Sequence, residues 1–67
     1  MNRQLLKAKI IENGLTMDEC VAKMGMHRTT MYAKMSGKSQ FYVDEVVKLC
    51  DLLNITDPEE KVKIFLV

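Results

Sequence analysis

The sequence predicts an all-α fold, five short helices in a single domain spanning 1–67. Three observations predict it: helix start and stop signals recur along the chain, apolar residues repeat at helical intervals between them, and no alternating stretch reads as a strand. Sixty-seven residues leave room for one domain only. A chain this short buries only ~60% of the surface its unfolded form exposes, so modest stability is expected unless a partner adds to it. With 48% apolar and 28% charged residues, the composition is that of a globular chain and not a disordered one.

The elements follow in order. Leu5, Leu6, Ile10 and Ile11 give a first helix its apolar stripe, and Asn13-Gly14 ends it, glycine tolerating the left-handed conformation there. Thr16-Met17-Asp18-Glu19 fits a capping box, with Leu15 and Cys20 placed as a hydrophobic staple; this sets a second helix at about 17–24. Gly25 stops it. A third helix restarts by Arg28 and runs to Ser36, where Gly37 ends it and a polar loop, Lys38-Ser39-Gln40, follows. Asp44 and Glu45 suit the first turn of a fourth helix, although Tyr42 is a poor capping residue. Val43, Val46, Leu49, Cys50 and Leu53 are expected to face inward, with Asn54 just past its end. Asp57-Pro58-Glu59-Glu60 opens a fifth helix with an N-cap, a first-position proline and an N3 glutamate. No internal repeat is visible.

Composition also narrows the function. No apolar stretch reaches the ~20 residues that span a bilayer, and Met-Asn-Arg-Gln lacks the apolar run of a secretory leader, so a cytoplasmic protein with no membrane partner is expected. Cys20 and Cys50 lie in apolar stripes without zinc-ligand spacing and read as reduced core thiols; no metal and no cofactor are expected. A Cys20–His27 catalytic pair lacks an orienting third group and a pocket, so the chain does not read as an enzyme. The net charge of +1 hides an uneven distribution. Residues 1–38 hold seven basic against three acidic residues, a net +4; residues 39–67 hold three against six, a net −3. The basic half can face phosphate while the acidic half faces away.

The informative stretch is Thr16 to Gly37. Two short helices joined by a tight glycine turn are the parts of a helix-turn-helix, here at about residues 17–36, whose second helix can enter a major groove. Gly25 supplies the turn, Cys20, Met24, Met26 and Met31 the apolar elbow, and Val21 the close crossing. A helical wheel over 28–36 puts Met31 and Met35 on the inner side with Thr30 and Lys34, and projects Arg28, Thr29, Tyr32 and Ala33 outward. That outward set suits base edges: arginine pairs bidentately with guanine, threonine donates, accepts or meets a thymine methyl, and alanine meets that methyl. Tyr32 has two readings, stacking on the sugar-phosphate wall or simply covering the helix. Lys34 also has two: its stem snorkels outward to a phosphate, or the helix is rotated slightly. His27 reads as a substitute cap or a phosphate neighbour.

The segment Val21-Ala22-Lys23-Met24-Gly25-Met26, with Ala33 and Gly37 following, resembles the DNA-binding domains of lambda-repressor and Cro-like phage regulators. The resemblance spans about Leu5 to Ile55 and is strongest over 16–37. It implies a compact five-helix DNA-binding fold that reads bases from Arg28, Thr29 and Ala33, and grips phosphates through Ser36, Lys38 and Ser39 after the third helix. Thr16 and Met17 would contact the backbone at the other end of the motif. Met17 departs from the family's usual glutamine, so only the free amides of that helix N-terminus remain for a phosphate. The implied function is a sequence-specific double-stranded DNA-binding regulator, a repressor in type, acting at an operator. At the C-terminus, Val62 and Phe65 can face the core, leaving Ile64, Leu66 and Val67 to form a homodimer interface on DNA, or else to tuck along the first helix. The rival reading is a protein-interaction module, an antirepressor or antitoxin-like partner on the same fold. The near-neutral total charge and Met17 point toward that rival; an outward Arg28 points toward DNA.

Overall fold

The computed structural model describes residues 1–66. Among them are five α-helices and no strand: α1 (Arg3–Glu12), α2 (Met17–Met24), α3 (Arg28–Ser36), α4 (Val43–Leu52) and α5 (Pro58–Phe65). None is long and apolar enough to cross a membrane. Each start has a local cause. The Asn2 side chain accepts from the Leu5 amide at 3.1 Å and opens α1. At α2 the capping box closes in both directions: the Glu19 amide donates to Thr16 Oγ1 at 3.1 Å, and the Thr16 amide donates to Glu19 Oε1 at 3.0 Å. Those bonds, the Thr16 amide first, hold the Glu19 carboxylate below its ordinary pKa. Asp57 accepts from the Glu59 amide at 3.0 Å, with Pro58 at the first helical position of α5. For α4, Glu45 compensates for the poor cap, accepting from the Tyr42 amide at 2.8 Å.

The ends are as legible. Gly25 closes α2 at φ +69°, and the Met26 amide reaches back to the Val21 carbonyl at 3.3 Å. Gly37 closes α3 at φ +90°. Asn54, expected just past α4, takes φ +56°, a conformation asparagine tolerates. Its side chain donates to Asn13 Oδ1 at 2.9 Å, while Asn13 donates to the Leu53 carbonyl at 2.9 Å, so the ends of α1 and α4 are joined.

The core gathers one stripe from each helix. Leu6 and Ile10 of α1, Cys20, Val21 and Met24 of α2, and Met31 and Met35 of α3 meet Leu49, Cys50 and Leu53, with Ile55 and Ile64 closing the far side. α2 packs on α1, α3 and α4, and α5 packs on α1. Fully burying one such leucine or isoleucine contributes ~1.5–3 kcal/mol, which is why these positions hold the helices together. Both cysteines are free and buried, and burial pushes each thiol above its ordinary pKa.

Several inward expectations are corrected. Leu5 (40% exposed) and Ile11 (73%) lie off the α1 stripe, because Leu6 and Ile10, four residues apart, already define the face that meets the core. Val43 is 81% exposed: as the first residue of α4 it lies ahead of the turns that carry Leu49 and Cys50 inward. Ile64, expected at an interface, is 2% exposed, while Val62, expected inside, is half exposed. The register of α5 explains both. Glu60 and Ile64 share one face, Lys9 of α1 meets Glu60 at 2.5 Å, and the Asn2 amide donates to the Ile64 carbonyl at 2.6 Å. Leu66 remains exposed, and Val67 lies outside the described residues.

Candidate nucleic-acid interface

The left-handed turn at Gly25 lets the chain reverse between α2 and α3, and the buried Met31 and Met35 fix how α3 is rotated. Their burial turns Arg28, Thr29 and Tyr32 to solvent, with Ala33 half-buried at the edge. These four residues line one side of an open groove of about 560 Å³. The groove has a second wall: Arg3 and Lys7 project into it from α1, and Lys38 reaches it from the loop after α3. Four cations, Arg3, Lys7, Arg28 and Lys38, thus surround Thr29, Tyr32, Ala33 and Ser36, and none of the lining residues is acidic. Nothing in the sequence singled out Arg3 and Lys7 beyond their share of the basic half. Their i, i+4 spacing on α1 was a usable signal, but its direction relative to α3 depends on how the two helices pack.

Comparison with protein-family models, curated proteins and solved structures finds no match for this chain. The chemistry of the surface therefore carries the reading. A groove with four cations, of which Arg28 is ion-paired with Asp18 just outside the lining, offers electrostatic attraction to a polyanion, and the guanidinium, hydroxyls and methyl between them offer directional contacts.

The expected backbone contacts divide. Ser36 and Lys38 lie on the groove; the Ser36 hydroxyl also donates to the Ala33 carbonyl at 3.0 Å. Ser39 instead lines a different cavity, described below. Thr16, Met17 and His27 fall outside the groove lining. Thr16 is committed to its capping box, and Met17 packs half-buried against the core. His27 is exposed and makes no side-chain cap bond to α3, so the substitute-cap reading is withdrawn.

Lys34 requires the clearest correction. It does not snorkel to the surface: it is 7% exposed, its ammonium lies 2.5 Å from Glu45 Oε1, and it sits 4.1 Å from the centroid of the Tyr42 ring. A lysine on the inner face of a helix needs a compensating charge, and α4 supplies one. The Lys34 ammonium first, and the Tyr42 amide second, hold the Glu45 carboxylate below its ordinary pKa. Lys34 ties α3 to α4 and offers nothing to a ligand in the groove.

The second cavity, about 650 Å³, lies on the other side of the loop after α3. Val43 and Val47 of α4 face Val62 and Leu66 of the α5 end across it, with Phe41 and Phe65 edge-to-face at 6.4 Å. It is mainly apolar and is bounded by Lys34 and Lys61.

Proposed function

We propose that the chain is a sequence-specific double-stranded DNA-binding regulator of the lambda-repressor and Cro-like helix-turn-helix type, which lays α3 in the major groove and acts by occupying an operator without catalysis. The observation that carries this reading is the groove itself: Arg28, Thr29, Tyr32 and Ala33 share one open surface with three further cations, Arg3, Lys7 and Lys38, and no lining carboxylate. In this reading Arg28 pairs with a guanine edge, Thr29 and Ala33 meet neighbouring bases, and Tyr32 lies toward the sugar-phosphate wall. Arg3, Lys7, Ser36 and Lys38 hold the flanking phosphates and set the register.

Two copies acting together match an operator with two-fold symmetry. The apolar cavity between α4 and α5 suits the second copy, because it shares the 37–39 loop with the DNA-facing surface. That cavity equally favours the protein-interaction reading, in which an antirepressor or antitoxin-like partner occupies it and DNA affinity is weak.

Selection of bound sites from a random duplex pool separates the two readings. The DNA reading expects an enriched, two-fold-related motif. Arg28→Ala should then cost about 1–3 kcal/mol and relax the preference at one base pair, whereas removing Arg3, Lys7 or Lys38 should weaken all duplexes alike and lower the salt slope by about 0.9 each. No enrichment, together with a stable heterocomplex, would favour the interaction module.

A further inference from the structure

Asp18 and Arg28 stand ten positions apart in the sequence, yet the chain reversal at Gly25 brings Asp18 Oδ1 within 2.6 Å of Arg28 Nη2. Both side chains are about two-thirds exposed, 66% and 63%. An ion pair this exposed adds little to stability, so its consequence lies in where it holds the guanidinium. Long arginine side chains lose much rotamer freedom when they dock on a base, and a contact that restricts the fork beforehand lowers that cost. The neighbouring groups are not available for this task. Glu19 is engaged with Thr16 in the α2 cap, and Met17 is packed against the core.

We infer that Asp18 is the positioning residue for Arg28: it orients the guanidinium toward a base edge and, by its negative charge, disfavours the capture of Arg28 by a phosphate. The inference rests on the DNA reading of the α3 surface. The donor count permits it. A guanidinium has five N–H donors; Asp18 takes one at Nη2, and a guanine edge needs two. Asp18 then raises specificity by two routes at once, since it strengthens the selected contact and penalises indiscriminate backbone contact.

Affinities of the wild type, Asp18→Asn, Arg28→Ala and the double variant, measured by fluorescence anisotropy on a selected duplex and a random duplex at one salt concentration, test this. Asp18→Asn should weaken the selected duplex about tenfold and leave the random duplex unchanged or tightened. In the Arg28→Ala background the same substitution should leave the ratio of the two affinities unaltered. If Asp18→Asn changes both duplexes by one factor, or shifts the ratio equally without Arg28, the positioning role is overturned and the DNA reading stands. If the wild type itself fails to discriminate between any duplexes, the DNA reading fails and the inference goes with it.

Discussion

At the scale of single residues, Lys34 shows how one buried charge can decide a surface. Its ammonium sits beneath the Tyr42 ring with Glu45 as counter-ion, inside a fold that offers it almost no water. Removing one member of such a pair leaves the other uncompensated, whereas replacing the lysine by an apolar residue of similar length removes the need for compensation. Glu45→Ala should therefore destabilise the fold by about 2 kcal/mol, while Lys34→Met should stay within about 1 kcal/mol of wild type, both measured by urea unfolding. Lys34→Met should also leave the salt slope of DNA binding unchanged, because the residue does not reach the groove. The acid response has a defined sign. Folding lowers the Glu45 pKa, so its contribution is present above the ordinary glutamate value and is lost as the pH falls through the lower folded value. Glu45→Gln should flatten that part of the acid-unfolding profile.

At the scale of elements, α2 and the turn after it set the direction of α3. Thr16→Ala should cost about 1 kcal/mol by freeing the α2 cap. Gly25 raises a different issue. A Cβ added there would meet only Lys48 Nζ at 3.8 Å, an ordinary contact, so the cost of Gly25→Ala comes from its φ of +69° and amounts to about 1–2 kcal/mol. Gly25→Asn should recover part of it, because asparagine tolerates that conformation; a thermal melt of the pair checks this, at roughly 4–8 °C per kcal/mol for a domain of this size. Lys48 adds a link between elements, donating to the Met24 carbonyl at 3.1 Å and so capping the end of α2 from α4. These boundaries were readable in the sequence because caps, glycines and Asp-Pro act within a few residues. The inner face of α4 and of α5 was less so. Val43 and Ile64 exchanged places with the expectation, since an apolar residue near a helix end belongs to the core only if a neighbouring element covers that turn.

For the whole molecule, the apolar cavity between α4 and α5 bears on association. Val43, Val47 and Leu66 are each at least half exposed there, a concentration of apolar surface that favours association. Light scattering across a dilution series should find dimers at high concentration, and Val47→Asp should shift the population to monomer while leaving the helical content intact. A monomer at every concentration would remove the second copy from the operator-binding scheme. The lopsided charge has its consequence at the same scale. Arg3, Lys7, Arg28 and Lys38 come together on one groove, although the chain as a whole carries only +1.

The number of helices, nearly all of their boundaries and the outward set Arg28, Thr29 and Tyr32 were legible before any folding of the chain was known, because each follows from signals acting over a turn or two of helix. Tertiary structure alone decided three matters: that Arg3 and Lys7 join that set, that Lys34 is withdrawn from it to meet Glu45, and that Ile64 faces inward while Val62 does not. The physical reason is common to all three. Whether a side chain on a given helical face meets water, a counter-ion or another helix depends on residues far away in the chain, and periodicity within one helix carries no information about them.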